Sequence, residues 1–89
     1  MREVILTSAF KKDYKRLSRS GQYIMRNLQE VTEKLANNEC LNEKYHDHAL
    51  IGNWQYCREC HIKPDWLLIY QLKDNELILV RTGSHSDLF

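Results

Sequence analysis

The run Trp66-Leu67-Leu68-Ile69-Tyr70-Gln71-Leu72 is apolar at nearly every position. A strand with one wet face alternates, whereas a run without a polar face has to be covered on both sides. It therefore belongs in the middle of a sheet. Lys63-Pro64-Asp65 turns the chain before it, with Pro at a position that suits its fixed φ, and Asp74-Asn75 turns the chain after it. Leu77-Ile78-Leu79-Val80 follows as a second strongly apolar strand, and Tyr56–Ile62 precedes as a third.

The N-terminal half has a different period. Val4-Ile5-Leu6 is β-prone, and Thr7-Ser8 offers a cap for a helix running to about Arg19, with Phe10, Tyr14 and Leu17 on its apolar stripe. Ser20-Gly21 breaks it, and Ile24, Leu28, Val31 and Leu35 mark a second helix from Gln22 to about Asn37. Residues 39–54 are polar and irregular. The order is β-α-α-β-β-β, an α+β fold with two helices on one face of a mainly antiparallel sheet. The 89 residues are expected to form a single domain, residues 1–89, with one modest core.

Composition narrows the setting. The chain lacks the roughly 20-residue apolar stretch of a membrane span, and its first residues lack the apolar block of a signal peptide. Three cysteines do not describe a disulfide framework, so a reducing cytoplasm is the expected location. Net charge is +1, but the charge is unevenly distributed. Residues 1–26 hold seven Lys/Arg against Glu3 and Asp13, whereas residues 27–89 hold six against ten acids. A basic first helix suits either a polyanion partner or a solvated face.

Proton-transfer groups collect in the second half: His48 beside Asp47, His61 two past Glu59, Asp65 after Pro64, and His85 near the end. Imidazoles exchange protons near neutral pH, so this clustering points to acid–base chemistry. Cys57-Arg-Glu-Cys60-His61 has the spacing of a haem-attachment motif, but on a strand residues three apart point to opposite faces and cannot grip one porphyrin edge. No second cysteine pair completes a zinc site, so the cysteines are expected as small buried hydrophobes, and no metal or cofactor is expected. Glu59 and His61 share a strand face and can couple, and Asp47 can orient either neighbouring imidazole.

Three blocks, YHDHALIGNWQYCRECH (45–61), IKPDWLLIYQL (62–72) and RTGSHSDLF (81–89), resemble the YafQ branch of the RelE/ParE toxin superfamily. The resemblance implies a twisted antiparallel sheet with two packed helices, and a small ribonuclease that cuts messenger RNA, usually on the ribosome. It also implies a cognate antitoxin that holds the toxin inactive, with operator DNA bound only as the complex with that antitoxin, and no membrane partner. The family's functional positions fall on His48, His61, Asp65, His85 and Phe89. Two positions depart from the pattern: Glu59 stands where the acid is often Asp, and Ala49 where proline is common.

The expected chemistry is metal-independent attack of a ribose 2′-hydroxyl on the adjacent phosphate. His48 and His85 would be the base–acid pair, in an order the sequence does not fix, with His61 and Asp65 polarising or orienting them. Arg81 or Lys63 would stabilise the phosphate charge, Phe89 would stack on a base, and Lys11, Lys12, Lys15, Arg16 and Arg19 would track RNA phosphates. The alternatives are a ParE-like gyrase inhibitor and a non-catalytic, antitoxin-binding corepressor.

Overall fold

The apolar run lies in the interior of a five-stranded sheet. The computed structural model describes residues 1–89. It contains strands β1 (Glu3–Leu6), β2 (His48–Ala49), β3 (Arg58–Lys63), β4 (Trp66–Lys73) and β5 (Glu76–Gly83), with helices α1 (Ser8–Ser20), α2 (Met25–Ala36) and α3 (His85–Leu88). Strand order is β1-β5-β4-β3-β2. β1 runs parallel to β5 and every other pairing is antiparallel.

Alternation along the strands divides the interior in two. One face presents Cys60, Ile62, Trp66, Leu68, Tyr70, Leu77 and Leu79 to Phe10, Leu17, Leu28, Val31, Leu35 and Ala36 of α1 and α2. The opposite face carries a smaller cluster of Leu67, Ile69 and Leu88, with Leu50, Trp54, Cys57 and Val80 packed around it. β4 is thus covered on both sides, as its composition requires. No helix is long and apolar enough to cross a membrane.

Thr7 joins sheet to helix. Its Oγ1 accepts the Phe10 N–H at 3.0 Å as the N-cap of α1, while the hydroxyl donates toward the carbonyls of Leu79 and Val80 on β5. Gly21, at φ 75°, ends the helix in the left-handed region.

Several expectations change. The inward stripe of α1 is Phe10, Asp13 and Leu17, and Tyr14 is largely exposed. α2 begins at Met25 rather than Gln22, because Gly21 and the residues after it form a bend between the helices. β3 begins at Arg58, since Tyr56 at φ 73° is outside the extended region. Four elements are additional: the two-residue edge strand β2, the four-residue helix α3, and single 3₁₀ turns at Glu43–Tyr45 and Gly52–Trp54. Of the cysteines, Cys60 is buried, Cys57 is partly buried and Cys40 is exposed, so the buried-hydrophobe expectation fails for Cys40.

Candidate active site

Cross-strand pairing places the functional residues in two rows. His48 pairs with Glu59, Glu59 with Ile69, and Ile69 with Arg81. His61 pairs with Leu67, and Leu67 with Gly83. Paired residues point to the same face, so His48, Glu59 and His61 share the side with Leu67 and Ile69, away from α1 and α2. α3 folds over that face, anchored by Leu88, and brings His85 beside His61. The ring centroids of His48 and His85 lie 6.5 and 5.6 Å from that of His61.

Each imidazole has a distinct hydrogen-bond environment. His48 Nδ1 is 2.7 Å from the His46 carbonyl. A carbonyl only accepts, so Nδ1 carries the proton and Nε2 keeps a free lone pair. His85 Nδ1 donates to Asp65 Oδ1 at 2.9 Å, which likewise frees Nε2. His61 faces acceptors on both sides, the Pro64 carbonyl at 3.3 Å and Glu59 Oε1 at 3.0 Å. The Glu59 carboxylate is only 7% exposed, and the same oxygen lies 4.0 Å from His48 Nε2. His48 and His85 are about half exposed, whereas His61 is 19% exposed. Two open imidazoles therefore flank one covered imidazole seated on a buried acid.

The tail that carries His85 is firmly held. Ser84 and Asp87 form a reciprocal capping box at the start of α3. Asp87 also accepts from Arg16 at 3.2 Å, and Arg16 reaches Asp13, which takes two bonds from Arg81 at 2.6 and 3.1 Å and one from the Thr82 N–H. A Cβ on Gly83 would stand 3.0 Å from Asp87 Oδ2, and φ there is 155°. Gly83 thus permits a close fit of the tail against the end of β5. Backbone and ring hydrogen bonds from His85 hold the Asp65 carboxyl below the usual carboxylate range, and the Ser84 N–H does the same for Asp87.

Other expected residues are engaged differently. Arg81 is paired with Asp13, and Arg16 bridges Asp13 and Asp87 rather than standing free on α1. Lys11, Lys12, Lys15 and Arg19 are exposed. Lys63 is exposed at the end of β3 and makes no ion pair. Asp47 does not orient an imidazole. It accepts from the Tyr70 hydroxyl at 2.6 Å and from Arg58 at 3.3 Å, and so pins the loop that carries His48. Phe89 is 59% exposed, its ring near those of His85 and Trp54, while Leu88 is the tail residue tucked inside. Cys57 and Cys60 lie against opposite faces of the sheet, and burial pushes the Cys60 thiol up to about 12.

One set of ligand atoms merits a metal test. Donor atoms of Glu59, His61 and His85 all lie within 4.8 Å of one another. Two imidazoles and a carboxylate suit zinc or copper. Neither His46 nor His48 belongs to this set.

Asp13, Asp87 and Tyr70 were missed as supports. Ser84-His85-Ser86-Asp87 has the sequence form of a cap followed three residues later by an acid, so Asp87 is recognisable. Asp13 and Tyr70 carry no local signal, because their partners are distant in the chain.

Comparison with known proteins gives a consistent result. The family described as the bacterial toxin of type II toxin–antitoxin systems, YafQ, matches residues 2–89. The mRNA interferase toxin YafQ of Escherichia coli is 38% identical over 89 residues, covering 99% of this chain and 96% of the relative. A copper-bound mutant toxin from Helicobacter pylori superposes with a TM-score of 0.92 at 46% identity, covering all of both chains. The E. coli DinJ–YafQ complex contains a chain with a TM-score of 0.89 at 38% identity, covering 100% of this chain and 99% of that one.

Proposed function

The chain belongs to the YafQ family of type II toxins, and from that premise we propose that it is an endoribonuclease that cuts messenger RNA and is restrained by a cognate antitoxin. The observation that carries this reading is the flanking of His61 by two open imidazoles, each with Nδ1 engaged and Nε2 free.

His48, whose Nδ1 donates to a neutral carbonyl, takes the proton of the ribose 2′-hydroxyl. The 2′-oxygen attacks the neighbouring phosphorus, and the bond to the 5′-oxygen breaks. His85, whose Nδ1 donates to the Asp65 carboxylate, gives a proton from Nε2 to that leaving oxygen. The products are a 2′,3′-cyclic phosphate and a 5′-hydroxyl end, as expected of attack by the ribose hydroxyl. Lys63, which makes no ion pair, supplies positive charge where the phosphorane forms, and His61 lies between the two proton-transferring imidazoles. Phe89 offers a stacking face to a base. Glu59, His61 and His85 are the residues that would hold a metal ion, which would add Lewis-acid chemistry, but none of the proton transfers above passes through one. Messages and ribosomes place this activity in the cytoplasm.

The test is to add the protein to a translation reaction and map the 5′ ends of the fragments, with His85→Ala in parallel. Cleavage that leaves 5′-hydroxyl ends and disappears in the variant is expected. Cutting at the wild-type rate by His85→Ala, or equal cutting of DNA, overturns the reading.

A further inference from the structure

We propose that the polar groove beside His48 and His61, walled by Asn27 and Glu30 of α2, is a base-reading subsite for a nucleotide with an exocyclic amino group, and that it disfavours uracil. This inference rests on the ribonuclease reading and deepens it.

The groove has a volume of about 780 Å³, within the range of pockets that hold nucleotide-sized ligands. Its lining includes His46, His48 and His61 but neither His85 nor Phe89. The rings of His46, His61, His85, Phe89 and Trp54 form a continuous series, with successive centroids 5.6, 5.6, 6.5 and 5.8 Å apart. A strand crossing the site has a stacking face at each end. At the Phe89 end the series closes on an apolar ring, Trp54. At the His46 end the series opens onto hydrogen-bonding groups.

Those groups have no other structural role. Asn27 is half buried, yet its amide makes no hydrogen bond within the molecule, and it does not cap α2, whose N-cap is Ile24. Glu30, three residues on, lies on the same side of the helix and has no ion-pair partner. Lys44 and Lys63 line the same groove and suit the phosphates that enter with a base.

The donors and acceptors select among bases. A carboxylate only accepts, while an amide both donates and accepts. Adenine and cytosine present an amino group beside a ring acceptor, and guanine presents two adjacent donors. Uracil presents one N–H between two carbonyls, and those carbonyls face the carboxylate oxygens unfavourably. Discrimination of about 5- to 150-fold is the scale for one well-placed pair.

The experiment maps cut sites on messages randomised around the cleavage point, for wild type, Asn27→Ala, Glu30→Gln and His85→Ala. The wild type is expected to be depleted in uracil at one flanking position. Glu30→Gln, which adds a donor, is expected to relieve that depletion, and Asn27→Ala to weaken it. A cut-site distribution unchanged in both groove variants, or scaled uniformly at every site, overturns the subsite. If His85→Ala still cuts like wild type, the ribonuclease reading fails and the subsite falls with it. If His85→Ala is silent, the groove variants decide the subsite alone.

Discussion

Asp65 receives His85 twice at one oxygen: Oδ1 accepts the backbone N–H at 3.0 Å and the ring Nδ1–H at 2.9 Å. The β3–β4 turn thus fixes both the position and the tautomer of an imidazole 20 residues away. His85→Ala is expected to lower cleavage by about 10²- to 10⁴-fold, the usual contribution of a general acid. Asp65→Ala is expected to lose less, because the imidazole is kept and only the group that positions and orients it is removed. Single-turnover cleavage of a message, with thermal melting measured alongside, checks both. Equal activity of Asp65→Ala and wild type contradicts an orienting role.

The same carboxylate gives the tail a pH dependence. Asp65 and Asp87 both have folded-state pKa values held below the usual range, so their bonds stabilise the docked α3 above about pH 4, where both are ionised even in the unfolded chain. That contribution is lost as pH falls below about 4, through the lowered folded-state values. Acid titration followed by the histidine ring resonances is expected to show His85 leaving His61 before the main core unfolds. Simultaneous loss of both signals contradicts it.

Asp13 links α1 to β5 by satisfying Arg81 and the Thr82 N–H at once. Asp13→Ala leaves a half-buried guanidinium and a buried N–H unmatched, an expected loss of about 2–4 kcal/mol after allowing for the exposed edge of Arg81. Because Arg16 also leans on Asp13 before reaching Asp87, tail docking is expected to weaken with it. Denaturant unfolding measures the first effect and hydrogen exchange at Ser84–Phe89 the second.

The visibility of each element in the sequence follows from how local its cause is. β4 was recognisable because a strand covered on both faces must be apolar throughout, and α1 and α2 because a buried face repeats along a helix. β2 has only His48 and Ala49, too few for any period, and exists because β3 offers an edge. Asp13 takes the inward place that the stripe gives to Tyr14, since its burial is set by Arg81, 68 residues away. The grouping of His48, His61, Asp65 and His85 came from motif resemblance rather than spacing, because cross-strand pairing and the fold of α3 bring them together.

Lys11, Lys12, Lys15 and Arg19 are the exposed cations of α1, now without Arg16. If they track RNA phosphates, reversing two of them lowers ribosome binding and reduces the salt slope by about 0.7–0.9 per lost contact. Binding measured across a salt series distinguishes this from a solvated face, for which slope and affinity stay constant.

The Glu59–His61–His85 donor set yields the last prediction. Copper or zinc ions occupying those atoms would take up a ring nitrogen of His85 and the His61 contact to Glu59, groups that the proton transfers need. Added Cu²⁺ or Zn²⁺ is therefore expected to inhibit cleavage and to raise the melting temperature, since the ion bridges β3 to the tail. A chelator is expected to leave the rate of the metal-free protein unchanged. Glu59→Gln is expected to weaken the metal-induced stabilisation by removing its one anionic ligand, at a cost that calorimetric titration reads directly. Loss of cleavage on chelation, restored by the added metal, would instead make the ion a participant in the reaction.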